Sequence, residues 1–201
     1  MDVLEVDTPH GPARAHIAAA SAARAALVLG HGAGGGVQAR DLLAVAEVAR
    51  GLGMGVALVE QPYRVAGRRS PAPARQLDAA WLVALAALRD WPFGGLRLIV
   101  GGRSSGARVA CRTAATAAAQ AVLCLAFPLQ PPRRGAAPGP SRLPELDAVA
   151  VPLLVVQGER DPFGIPPPGR DREVVLVPGD HALRNVDAVR AAVAEWLARE
   201  R

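Results

Sequence analysis

Six short apolar runs punctuate the sequence, at residues 25–29, 56–59, 96–100, 121–126, 153–156 and 174–177, each bounded by Gly, Pro or charge. Runs of this length without polar alternation read as strands buried on both faces of a sheet. Between them the hydrophobic period becomes helical. Residues 38–50 put Leu42, Val45 and Ala49 on one face and stop at Gly51 and Gly53, and residues 74–89 align Leu77, Trp81, Leu85 and Leu88. A last helix, capped by Asn185, lines up Val186, Val189, Val193, Trp196 and Leu197. Strand and helix alternate, which predicts an α/β fold: a mostly parallel central sheet with helices on both faces.

The N-terminus breaks this rhythm. Residues 3–6 and 14–17 flank a His-Gly-Pro turn and read as an antiparallel pair that starts the sheet. Residues 18–26 are alanine-rich and favour helix on propensity alone, but the fold needs a turn near Ser21. Residues 127–144 hold six prolines and read as a long irregular loop.

Composition then narrows the class. The chain has 201 residues, 51% of them apolar, enough for one compact domain over residues 1–201 and too little for two. Cys111 and Cys124 lie in apolar stretches and read as reduced core thiols, since two cysteines make no disulfide framework. The start of the chain lacks a basic segment followed by a long apolar one, and no stretch reaches eighteen apolar residues without a charge. A soluble cytoplasmic protein with no membrane partner is the expectation. The net charge of +5 raises the question of nucleic acid, but all 23 basic side chains are arginine, spread along the chain, and aromatics are only 3%. Stacking platforms are scarce, so no nucleic-acid partner is expected.

The chemistry begins at Gly102-Arg103-Ser104-Ser105-Gly106, a G-x-S-x-G motif between the run 96–100 and a helical stretch at 107–119. Strand, motif and helix in that order are the context of a nucleophile elbow: a strained turn presents the serine, and the flanking glycines let strand and helix approach closely. The helix N-terminus adds backbone N–H groups and the positive end of a dipole, suited to an oxyanion. A plain glycine-rich turn and a phosphate cradle are the structural alternatives, but residues 101–106 lack the G-x-G-x-x-G spacing of a dinucleotide loop.

A serine nucleophile needs a histidine held by a carboxylate. Of four histidines, His10 and His16 belong to the N-terminal hairpin and His31 to a glycine-rich turn, which leaves His181, in the loop after the last run. Asp161, where the run 153–156 gives way to a turn, supplies the acid in the chain order serine, acid, histidine. Asp180 competes for that role, although a neighbour in sequence is poorly placed to accept from the imidazole Nδ1. The Gly30-His31-Gly32-Ala33-Gly34 loop follows the first buried run, as an oxyanion loop should, and the expected donors are the amides of Ala33 and Ser105.

These segments carry a family resemblance. His31-Gly32-Ala33-Gly34, Pro62-Tyr63 with Gly67-Arg68-Arg69, residues 101–108, Phe127-Pro128-Leu129 with Pro131-Pro132, Gln157-Gly158 with residues 160–164, and Gly179-Asp180-His181 together resemble the capless, dienelactone-hydrolase-like branch of the α/β hydrolases. Within that branch they resemble in particular the group that includes testis-expressed protein thirty. The resemblance implies the α/β-hydrolase fold and the Ser104-Asp161-His181 triad, and says little about substrate. Two positions depart from the pattern: Ser105 stands where methionine is usual, and the proline-rich connection from Asp161 to Val174 is short enough to lose a helix.

Only about 25 residues join the fourth and fifth buried runs, too few and too proline-rich for a lid domain. An open site for a small or surface-presented ester, thioester or short peptide follows, with no metal or organic cofactor implied. Tyr63, Arg64, Arg68 and Arg69 are candidate substrate-binding residues; Arg64, Arg68, Arg69, Arg133 and Arg134, in loops after strand ends, either bind an anionic acyl group or form a solvated arginine-rich surface. A hydrolase fold kept as a binding or scaffold module, and acyl transfer to an acceptor other than water, are the functional alternatives.

Overall fold

The computed structural model describes residues 1–131 and 139–201. Its centre is an eight-stranded sheet in the order β1-β2-β4-β3-β5-β6-β7-β8. The strands are β1 (Asp2–Val6), β2 (Ala13–Ala18), β3 (Ala25–Gly30), β4 (Gly55–Glu60), β5 (Arg97–Arg103), β6 (Ala121–Leu125), β7 (Leu153–Gly158) and β8 (Arg172–Val177). β1 and β2 pair antiparallel and β2 joins β4 antiparallel, while all pairings from β4 to β8 are parallel. The mostly parallel sheet and its N-terminal hairpin therefore match the sequence pattern.

Each buried run serves two cores, because successive side chains on a strand point to opposite faces. Val28, Val100 and Val122 pack with Trp81, Leu85 and Val109 of helices α3 (Ala74–Asp90) and α4 (Ser105–Thr113). Leu27, Leu29, Ile99 and Leu123 pack with Leu42 and Val45 of α1 (Arg40–Gly51) and with Val193 and Trp196 of α6 (Val186–Glu200). Burying each such aliphatic side chain contributes about 1.5–3 kcal/mol before entropy is counted. Cys111 and Cys124 are free thiols buried between α4 and β6, with sulfurs 3.4 Å apart.

Local signals behave as the residues dictate. The Asn185 side chain caps α6 by accepting from the Ala188 amide at 3.2 Å. The turn near Ser21 forms, overriding the helix propensity of the alanines around it. The alanine-rich stretch after the elbow is a correction: helix was expected to residue 119, but α4 ends at Thr113. Gln120 must pair with the Leu98 carbonyl to enter β6 beside β5, and the chain turns through Ala118 at φ 46° to reach it. Tertiary pairing outweighs alanine propensity there.

Two short helices complete the described elements: α2 (Pro62–Val65) after β4, and α5 (Leu143–Asp147), which closes the proline-rich connection. No helix lies between β7 and β8, as the short proline-rich connection suggested. Among the described residues no helix is long and apolar enough to cross a membrane. Every parallel strand delivers its C-terminal end to one edge of the sheet, and the chemistry-bearing loops gather there.

Candidate active site

At the end of β5, Ser104 adopts φ 52° and ψ −107°, a left-handed conformation that costs a non-glycine residue on the order of 1–3 kcal/mol. Two backbone bonds hold it: its N–H donates to the Leu125 carbonyl (2.9 Å), and its carbonyl accepts from Arg108 N–H (3.2 Å). The motif glycines are needed for contact. A Cβ on Gly106 would collide with the backbone of Gly30 and His31, and one on Gly102 would strike the Gly30 carbonyl. The elbow helix thus packs directly on the loop that follows β3.

That loop, residues 30–36, is pinned from below. The buried His31 donates from Nδ1 to the Gly32 carbonyl (2.8 Å), and its Nε2 accepts from the Gln61 amide (3.0 Å). Burial pushes its pKa below the usual 6.5, against the opposing pull of the Gly32 carbonyl. Tyr63 donates its hydroxyl to the Ala33 carbonyl at 2.8 Å, and burial raises the phenol to about 12. Among the described residues neither the Ala33 nor the Ser105 amide donates a hydrogen bond, and Ser105 opens α4, where the first N–H groups have no helical acceptor.

The loop after β7 brings Asp161 to the same edge, fully buried at its carboxylate. Its Oδ1 accepts from the Phe163 amide (2.9 Å), and its Oδ2 from the Gln157 amide nitrogen (2.8 Å). The loop after β8 brings His181, whose Nδ1 lies 2.8 Å from Asp161 Oδ2 and whose Nε2 lies 3.0 Å from Ser104 Oγ. A carboxylate only accepts, so Nδ1 carries the proton, and Nε2 of the neutral ring faces the serine hydroxyl as an acceptor. Phe163 packs against the imidazole with ring centres 4.4 Å apart. Asp180, the competing acid, turns away: its Oδ1 caps the Ala182 amide at 2.9 Å and its Oδ2 faces Arg184 at 3.6 Å.

The structure brings Ser104, Asp161 and His181 into one hydrogen-bonded line and sets the Ala33 loop beside it. The arginines fare differently. Arg64 is partly buried, with Nη1 donating to the Arg68 carbonyl (3.0 Å) and an inaccessible Nε that has no hydrogen-bond partner among the described residues. Arg68 and Arg69 are exposed, and Arg133 and Arg134 lie outside the described residues. A cleft of about 130 Å³ lies nearby, lined by residues that include His10, Gln61, Tyr63, Arg68 and Gln76. Ser104 stands outside this cleft. Among the described residues no group of three or more His, Cys, Asp or Glu is placed to hold a metal ion.

Two residues at the site escape a sequence reading. Gln157, wholly buried, directs its amide nitrogen at three acceptors, the carbonyls of Phe127 (3.1 Å) and Gly164 (2.9 Å) and the Asp161 carboxylate. Arg103 donates from Nε to Asp41 Oδ2 (2.7 Å) and from Nη2 to the His181 carbonyl (3.0 Å). Only the position of Arg103 inside the elbow motif could have drawn attention to it.

Comparison with known proteins agrees with this architecture. A family model described as an alpha/beta hydrolase domain matches residues 23–184. A lidless α/β serine hydrolase from Xanthomonas campestris superposes with a TM-score of 0.77 at 19% identity, covering 98% of this chain and 94% of the other. Est1E from Butyrivibrio proteoclasticus gives 0.80 at 14% identity over 100% and 99% of the two chains. A dienelactone hydrolase from Anabaena variabilis gives 0.74 at 18%, over 99% and 95%. No curated protein matches the chain.

Proposed function

Because the chain belongs to the alpha/beta hydrolase domain family, we propose that it is a serine hydrolase acting on a small or surface-exposed ester or thioester, with Ser104, His181 and Asp161 as its catalytic triad. One observation carries this reading. The line Asp161 Oδ2, His181 Nδ1, His181 Nε2, Ser104 Oγ is continuous, with separations of 2.8 and 3.0 Å at its two hydrogen bonds.

Ser104 Oγ attacks the carbonyl carbon while Nε2 of His181 takes the hydroxyl proton, so the serine needs no depressed pKa of its own. The proton then passes to the leaving alkoxide or thiolate as the acyl-enzyme forms. Water, deprotonated by the same nitrogen, attacks the acyl-enzyme, and the proton returns to Ser104. Asp161 holds the ring in the Nδ1–H tautomer and stabilises the transient imidazolium. The amides of Ala33 and Ser105 would receive the oxyanion: one lies in the loop pinned by His31 and Tyr63, the other at the open end of α4.

Among substrates, the reading favours a short acyl group with an anionic end. Arg64 is a partly buried cation with no carboxylate partner among the described residues, and residues 132–138 contain no acid. It sits against the glycine loop, since a Cβ on Gly36 would meet its Nη2 at 4.0 Å. Arg68 N–H donates to the Tyr63 carbonyl (2.8 Å), both residues line the neighbouring cleft, and the exposed Arg69 follows in sequence. The lidless architecture of the Xanthomonas neighbour fits an open site, and a cytoplasmic location fits the free buried thiols. Among the residues that carry the resemblance to the testis-expressed protein thirty group, His31-Gly32-Ala33-Gly34, Ser104, Asp161 and His181 lie at this edge of the sheet.

The test is labelling of the purified protein with a fluorophosphonate probe, alongside Ser104→Ala. Labelling at Ser104 that vanishes in the variant supports the reading. A folded wild type that takes no label overturns it, leaving a hydrolase fold used for binding or scaffolding.

A further inference from the structure

We propose that Arg103 is a positioning residue that locks the histidine loop to the elbow and to the oxyanion loop, a role that rests on the serine-hydrolase reading above. Three separate contacts of one guanidinium support it. Nε meets the carboxylate of Asp41 in the first turn of α1 (2.7 Å), and Nη2 meets the main-chain carbonyl of His181 (3.0 Å). Nη1 lies against Gly32, where a Cβ would stand 3.1 Å from it and 3.6 Å from the Ser104 Cβ. The residue before the nucleophile therefore touches the loop that offers Ala33 and the backbone of the residue that serves as base.

The geometry of the histidine loop explains why such a contact matters. On one flank the loop rests on the end of β7, so closely that a Cβ on Gly158 would collide with the Asp180 carbonyl, and Arg160 N–H donates to the Gly179 carbonyl (2.9 Å). That side also holds the ring, through Asp161. On the β5 side, the bond from Arg103 ties the backbone of His181 to the residue beside Ser104. Without it the imidazole keeps its bond to Asp161 but loses one restraint on its distance from Ser104 Oγ. The planar fork is what allows one side chain to serve a carboxylate and a carbonyl together; an ammonium presents no such fork.

The pair is also costly for a merely structural device. Asp41 is buried, and desolvation drives its carboxyl pKa above the usual value even with the Arg103 charge beside it. Buried ion pairs often add little net stability relative to apolar replacements, and specificity of arrangement is their better-attested use.

The experiment measures the fluorophosphonate labelling rate and the hydrolysis of p-nitrophenyl acetate for wild type, Arg103→Ala, Arg103→Lys and Asp41→Asn, each with its thermal midpoint. Misplacement by about 1 Å costs on the order of 100-fold, so Arg103→Ala should lose about that factor in kcat and in labelling rate while KM stays within about threefold. Millimolar guanidinium should restore at least about tenfold of it, since the free ion can occupy the vacated fork between Asp41 and the His181 carbonyl. Arg103→Lys, which keeps the charge, should remain at least about tenfold slow.

Wild-type rates in folded Arg103→Ala, or in Arg103→Lys should the alanine variant not fold, overturn the proposal. So does a loss in Arg103→Ala that guanidinium leaves untouched. Failure of the wild type to label would overturn the hydrolase reading instead. Amide exchange in residues 179–184 then decides separately: a rise of about tenfold or more in the Arg103 variant supports the lock, and unchanged exchange refutes it.

Discussion

Two histidines stand at the same edge of the sheet in the same tautomer, and they differ in what faces each nitrogen. His31 donates from Nδ1 to a backbone carbonyl and accepts at Nε2 from a backbone N–H. Neither partner can exchange a proton with it, and its burial opposes a charge. His181 also donates from Nδ1, but to the carboxylate of Asp161, and its Nε2 faces a serine hydroxyl. A carboxylate stabilises the imidazolium, and a hydroxyl has a proton to give. The side chain of His181 is 19% exposed, whereas His31 as a residue is 2% exposed. The difference teaches that an imidazole's neighbours decide whether it can act as a base: the same ring is a strut in one loop and, on the proposed reading, a proton carrier in the other.

The strongest test of this contrast exchanges the two histidines for alanine. His181→Ala should cut fluorophosphonate labelling and ester hydrolysis by about 1,000-fold or more while changing the unfolding midpoint little. His31→Ala should do the reverse in emphasis, lowering stability by about 1–3 kcal/mol as the Gln61 amide loses its buried acceptor. Denaturant unfolding beside the labelling assay separates the two, and equal losses of activity would erase the distinction.

Next in size is the partner of Nδ1. Asp161→Asn should reduce turnover by about 100- to 10,000-fold, because the amide permits the wrong tautomer and no longer stabilises the imidazolium. Steady-state kinetics would show the loss in kcat, and a near-normal kcat would mean that Asp161 is only a turn residue.

Gln157→Leu sharpens the contrast one step further out. Asp161 loses a donor, and the Phe127 and Gly164 carbonyls lose theirs, so stability should fall by about 1–3 kcal/mol. Turnover should fall by about tenfold as the carboxylate gains freedom. Chemical unfolding and kcat, measured on the same preparation, check both.

The smallest effect is in pH. The folded pKa of His31 lies below its unfolded value near 6.5, so the unfolded chain binds the extra proton first. Its contribution to stability is complete above pH 6.5 and declines as pH falls below it. The difference in unfolding free energy between wild type and His31→Ala should therefore narrow from pH 7.5 to pH 5. A constant difference would mean that burial does not hold this ring neutral.

Much of this was legible along the chain, and the exceptions have physical causes. The buried runs at 25–29, 96–100 and 153–156 declared their strands because a strand covered on both faces must be apolar throughout. Ser104 was visible because glycines two residues either side satisfy a local need: helix α4 packing on the Gly30 backbone. The end of α4 is not legible locally, because the alanine-rich residues 114–119 favour helix while a pairing of Gln120 with Leu98 across the sheet ends it at Thr113.

What the sequence by itself determined was the alternation of strand and helix, the elbow, and the chain order of Ser104, Asp161 and His181, all of which follow from local period and local sterics. Only the tertiary structure decided that β4 lies between β2 and β3, that Gln157 grips Asp161, and that Arg103 joins Asp41, 62 residues away, to the His181 backbone, 78 residues away. Those contacts depend on the approach of loops from separate strand ends, and hydrogen bonds between side chains and distant backbone leave no period in the sequence to read.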